Sequence, residues 1–563
     1  MFAKQAQCRV HTLPVSTTED RCPVTHASPS PQPSAPSALE QITHPDGRVS
    51  LPEGHNPPDG PFTNTDLTPV PMVRRTWGTG SFSALWVSLS VSIPAWTLAS
   101  GLIAAGMDWR QAMLAVVLGN LVVLLPMVLT GHAGAKYGIP FPVFARASFG
   151  LRGANVPALL RGAVACGWFG IQTWVGGQGV YVLVGRLLGD GWLGAAQFGG
   201  NPWTLWLSFG LFWLAQVAII LWGMEGVRRV QVWAAPLMVI GGVALLVWMA
   251  AEAGGPGPML ATEGELDWGP SFWALFFPSL MGVVGYWATL TLNISDFTRF
   301  AASQRAQVVG QSLGLPTTMT AFSLLAVMVT AGTAAVYGEA LWNPIDVVDR
   351  MDSGIGLLFA VFVVLLATVS TNIAANLVGP AYDLANLKPQ WISFRTGALL
   401  TAVLGVLIMP WKLIEDESVY IFTWLGTVGG LLGAVAGILL ADYWLLRRTR
   451  IDLPSLYTRD SRYWYSGGWN WRAMTAFGVG ALLAVGGSNS PAGEGPFPTA
   501  GLIPVLAPLA EFGWVVGLFS ALVLYWALGR FVPDRATAAD NGTGQGRTSG
   551  ARDTAGTGNT GPR

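Results

Sequence analysis

Along most of the chain the apolar residues neither alternate nor recur on one face; they run on, separated by short polar stretches. Runs near the twenty residues a helix needs to cross a bilayer's hydrocarbon lie at 81–106, 111–130, 162–184, 203–223, 230–251, 271–295, 317–337, 355–380, 396–410, 419–446, 474–485 and 509–528. The pattern predicts an all-α polytopic membrane protein with about twelve transmembrane helices.

Two of these runs carry helix breakers at matching places. In the first, "VSLSVSIPAW" sets Ser88, Ser90 and Ser92 ahead of Pro94, which lacks a backbone donor and frees a carbonyl. In the sixth, "MGVVGYWATLTLNISDFTR" sets Gly282 and Gly285 before Thr289, Thr291 and Asn293. Broken helices at equivalent positions of two halves are the mark of an inverted repeat with its site near mid-bilayer. The halves are expected at about 81–251 and 271–446, with two extra helices at about 474–528, inside a transporter domain spanning 76–530. Glycine and proline are also common in membrane helices that merely pack closely.

Composition agrees. The chain is 52% hydrophobic and 11% charged, against about 25% charged in soluble domains. The formal net charge is zero, yet Lys and Arg alternate between loop sets. Lys136, Arg146, Arg152, Arg161, Arg228, Arg229, Arg299, Arg305, Lys388, Arg395 and the 447–472 arginines share one side, so both termini are expected in the cytoplasm of a cell-membrane protein. Residues 1–75 and 531–563, rich in Pro, Ser, Thr and Gly, are expected to be disordered tails. Cys8, Cys22 and Cys166 show no disulfide or metal spacing.

Candidate chemistry sits in two spans. In "CGWFGIQTWVGGQG", Trp168 and Gln172 are four apart, so one helix face offers a flat indole and a carboxamide able to donate and accept. That pairing suits a planar ring with alternating C=O and N–H groups; a glutamine bonded to a neighbouring helix satisfies the same burial constraint. In "TVSTNIAANLVGPAY", Asn372 and Asn376 are one turn apart, and Ser370 and Thr371 are adjacent hydroxyls that suit a hard monovalent cation. Hydroxyls bonded to their own helix carbonyls give the same pattern. Trp287 is expected to face Trp168 across a cavity, and Asp296 to form an ion pair near Arg299.

These segments, with "GIPFPVFARASFGLRG" and "LLADYWLLRR", resemble the nucleobase:cation symporter-1 family over about residues 76–528. The resemblance implies a five-plus-five inverted repeat (LeuT-like) with two extra C-terminal helices. It also implies alternating access and a ring held between Trp168 and Trp287, with contacts from Gln172 and Asn376. It implies a sodium site from the carbonyls of Ser88, Val91 and Ala367 and the hydroxyls of Ser370 and Thr371; some relatives use protons. A hydantoin-carrying member has glycine where Tyr286 stands and glutamine where Ser92 stands, so both residues join the expected substrate site.

The expectation is cation-coupled uptake of a small heterocycle by a monomer in membrane lipid, with no nucleic-acid partner. Uracil and allantoin come first, hydantoins next, cytosine and purines behind. A channel would call for rings of charged side chains or a selectivity motif, and an enzyme for a nucleophile–base pair, metal ligands or paired carboxylates in the spans; the sequence offers neither.

Overall fold

The computed structural model describes residues 40–57, 60–222, 224–351, 354–413, 426–459, 461–490 and 497–532. The expected tails therefore lie largely outside the described residues, as does the 419–425 end of one predicted span. The principal helices are α1 (Thr79–Ser90), α2 (Ile93–Ala104), α3 (Trp109–Tyr137), α4 (Phe141–Phe149), α5 (Asn155–Leu188), α6 (Trp203–Leu221) and α7 (Met224–Glu252). The second half holds α8 (Pro270–Tyr286), α9 (Ala288–Asn293), α10 (Gln304–Tyr337), α11 (Gly354–Asn376), α12 (Val378–Leu387), α13 (Phe394–Leu407) and α14 (Gly426–Leu440). Then come α15 (Trp471–Val485) and α16 (Gly513–Phe531).

Each of the twelve apolar runs falls on helix, though not on twelve equal ones. Among the described residues six helices are long and apolar enough to cross a membrane, and two bent pairs bring the number to eight. The long α5 is outside that set because its glutamines and glycines dilute the apolar run, while α13 and α15 are short apolar helices.

The bent pairs are α1 with α2, turned by 59°, and α8 with Ala288–Thr298, turned by 43°. At the first, Ser92 is extended (φ −150°, ψ 157°) and its hydroxyl caps α2 by accepting from the Ala95 amide at 3.3 Å. Pro94 falls in the first turn of α2, where its missing N–H costs no helical bond. At the second, Trp287 alone departs from helix (φ −93°, ψ 0°). The α1 and α3 helices pack on α10, and α5 packs on α6, α11 and α12. Gly314 lets α10 meet Trp86 closely, since a Cβ there would lie 2.8 Å from that side chain.

Three expectations are corrected. The described residues 40–57 and 60–75 are not a disordered tail: Val49 and Leu67 are buried, and backbone and side-chain bonds tie the segment to the helical body. Phe62 O accepts from Arg146 Nη1 at 3.0 Å, Leu67 O from the Tyr457 hydroxyl at 2.9 Å, and Asp66 Oδ2 from the Phe394 amide at 2.9 Å. The segment borrows a core it cannot build alone. Within it Arg75 donates to the carbonyls of Val70, Lys136 and Tyr137; burial lowers its pKa to about 10, so it stays charged at neutral pH.

Arg161, counted with the loop cations, lies inside α5 with no exposed side-chain surface, 3.3 Å from Asp383 Oδ2 of α12. Asp296 does not take Arg299 as its hydrogen-bonding partner; it accepts from the Phe141 amide at 2.8 Å, at the start of α4, and from Asn293. Arg299 instead donates to Asp66 O and to the Tyr382 hydroxyl.

Candidate substrate and cation site

One cleft is lined by Trp168 and Gln172 from α5, Tyr286 and Trp287 from the second bend, and Thr371 and Asn376 from the end of α11. The i, i+4 spacing puts Trp168 and Gln172 on one face, and the turn at Trp287 swings two successive aromatic rings inward. All six side chains are nearly inaccessible to solvent.

The aromatic arrangement differs from a plain pair of facing indoles. The Tyr286 ring stands edge-on to Trp168 (centroids 5.3 Å, 85°) and to Trp287 (4.7 Å, 83°). Trp287 is held from behind: its indole N–H donates to Asn120 Oδ1 at 2.7 Å, and Trp86 packs against it at 5.2 Å. Ser92, from the first bend, reaches the Tyr286 hydroxyl at 3.1 Å.

The amides have distinct settings. Asn376 gives one N–H to Asn372 Oδ1 at 3.0 Å, and Asn372 donates to Phe169 O, Thr173 Oγ1 and Gln216 Oε1 at 3.1, 3.2 and 2.8 Å. Asn372 therefore fixes Asn376 and docks α11 on α5 and α6. Gln172 Oε1 is buried with no hydrogen-bond partner among the described residues. A buried unmatched acceptor carries a desolvation cost of about 1–3 kcal/mol, which a ligand N–H would remove.

The cation residues also converge. Thr371 Oγ1 donates to Ser88 O at 3.1 Å and to Val91 O at 3.5 Å, and the hydroxyls of Ser88 and Ser370 lie 3.5 Å apart. Ala367 is one turn before Thr371 and packs in an apolar cluster with Val91. Carbonyls and hydroxyls without a carboxylate suit a hard ion of single charge.

Sequence reasoning passed over Asn120 and Gln216. Each is a lone amide inside an apolar run, the signal of an internal hydrogen bond in a membrane protein.

Two bent spans around a buried cleft, lined by aromatic rings, amides and neutral oxygens, define a membrane transporter. Residues 69–517 match the family described as permeases for cytosine/purines, uracil, thiamine and allantoin, and the chain belongs to that family. It is 38% identical over 491 residues to the allantoin permease of Bacillus subtilis (strain 168), covering 85% of this chain and 95% of that one. A purine-uracil permease of Arabidopsis thaliana is 38% identical over 475 residues, 84% and 79% of the two chains. Among solved structures, the nucleobase-cation-symport-1 family transporter Mhp1, closed with bromovinylhydantoin bound, superposes with a TM-score of 0.68 at 27% identity, covering 85% of this chain and 99% of that one. A Na+-coupled sialic acid symporter shares the fold alone (TM-score 0.55, 12% identity, 82% and 92% coverage). The protein is thus a multi-pass permease of the nucleobase-cation symport family and not an enzyme.

Proposed function

We propose that the protein takes up a small planar heterocycle, with uracil and allantoin the first candidates, together with sodium. The observation that carries the reading is the unpaired Gln172 Oε1 in a cleft shared with Trp168, Trp287 and Asn376. An imide or ureide edge supplies the N–H this oxygen lacks and a carbonyl for the amide N–H groups, while the indoles cover the ring faces. The printed names of the bacterial and plant relatives support the same substrates. Sodium is supported by the convergence of Ser88 O, Val91 O and the hydroxyls of Ser370 and Thr371.

Ring and ion bind the outward-open cleft, and their joint preference for the closed state drives the switch, since a ligand shifts an equilibrium only by its difference in affinity between states. In this reading the protein works as a monomer in the cell membrane, and the alternation of Lys and Arg between loop sets supports both termini in the cytoplasm.

Uptake of radiolabelled uracil and allantoin into vesicles holding the purified protein tests the proposal. Trp168→Ala and Asn376→Ala are expected to abolish uptake while the protein remains folded; normal uptake by either would overturn the site. Uptake driven equally well by a proton gradient in sodium-free buffer would overturn sodium.

A further inference from the structure

The Ser92 and Tyr286 side chains form a direct bond between the two bends. Their hydroxyls lie 3.1 Å apart, 1% and 8% exposed, across 194 residues of sequence. Each also belongs to one of the two binding regions. The Val91 carbonyl, aimed at Thr371, and the Ser92 Cα are parts of the same planar peptide unit, so an ion that pulls on that oxygen turns Ser92 with it. Ser92 is further fixed by capping the Ala95 amide. At the other end, the Tyr286 ring packs edge-on against both Trp168 and Trp287.

We infer that the Ser92–Tyr286 hydrogen bond transmits ion binding to the ring site: the ion orders the Val91–Ser92 peptide, Ser92 fixes the Tyr286 hydroxyl, and the tyrosine holds the indole slot at the spacing that receives the ring. Tyr286 is a positioning residue in this scheme, and it rests on the proposed sodium-coupled function. A slot held ready spares the ring the cost of ordering it, so each ligand raises the affinity of the other by the same factor.

The test measures the dissociation constant of uracil and of allantoin by calorimetry, with and without sodium, and that of sodium with and without the ring. In the unaltered protein sodium should tighten ring binding by about 5- to 150-fold. Tyr286→Phe, which keeps the ring and deletes the hydroxyl, should cut that factor about fivefold, the worth of an ordinary buried hydrogen bond. The same cut should appear in the effect of the ring on sodium, because linkage is reciprocal. Ser92→Ala added to Tyr286→Phe also removes the Ala95 cap and so lowers sodium affinity by itself, but the factor by which sodium and ring help each other should fall no further, since in this scheme the hydroxyl pair is the one link between the sites. An undiminished factor in Tyr286→Phe, or additive losses in the double variant, would overturn the inference. Failure of the unaltered protein to bind either ring, or to bind it more tightly with sodium, would instead bring down the function on which it rests.

Discussion

Of the two bent spans, the first turns through 59° and the second through 43°, and they yield different chemistry. In the first, the Ala95 amide, which would have closed a helical bond to Val91 O, is taken by the Ser92 hydroxyl. That leaves Val91 O for Thr371. In the second, little backbone is released: the Trp287 amide still reaches Val284 O at 3.2 Å, and Trp287 O accepts from Thr291 at 3.0 Å. What changes there is the direction of two side chains. A sharp break with a serine cap and a proline frees oxygens; a mild one without either re-aims aromatic rings.

The widest separation between the bends should come from Thr371→Val, which keeps shape and removes the hydroxyl facing the first. Sodium affinity should fall on the order of tenfold to a hundredfold, as for a lost bond to a charged group. Ring affinity measured without sodium should stay near that of the unaltered protein; if it falls as far, the two bends do not divide the work. Asn120→Leu acts on the second bend alone, leaving the Trp287 N–H unpaired at a stability cost of about 1–3 kcal/mol. Ring binding should weaken about fivefold with sodium affinity unchanged, and calorimetry would reveal any reversal of that order. The mildest change is Pro94→Ala, which mainly frees the unfolded chain, at about 0.4–1 kcal/mol. A drop of about 1–2 °C in melting temperature is expected, with both affinities retained; loss of sodium binding would show that the proline itself shapes the first bend.

The bends were legible because breakers that also occur in closely packed membrane helices fall here at matching places of two halves: Pro94 after three serines, and Gly282 and Gly285 before a polar turn. The cleft residues were legible for the same reason, amides and hydroxyls at membrane depth being costly unless they face inward. What pattern does not convey is which neighbour satisfies which group. Asn372 reads as Asn376's equal, one turn away, yet three of its bonds serve helix docking. Tyr286 stands out in the sequence only by departing from its relative, whereas its edge-on contact with two indoles depends on how far the span turns. Arg161 looks like a loop cation until α5 is seen to begin before it, at Asn155, which sets it inside a buried helix beside an acid 222 residues later in α12. Residues 40–75 mislead by composition, because a segment poor in apolar residues can still fold when an existing body supplies the partners.

That last segment acts as a strap fastened to the helical body at several points. Arg146 in α4, the first residue of α13 and the stretch around Tyr457 all fasten to it, through Phe62, Asp66 and Leu67 respectively. Trimming the chain to its first span would remove one acceptor of the buried Arg146, which keeps Asn386 Oδ1 and Leu456 O, and the carbonyl bonded by the Tyr457 hydroxyl, while removing no part of the cleft. A shortened version would therefore keep every group that lines the cleft and still be the weaker protein.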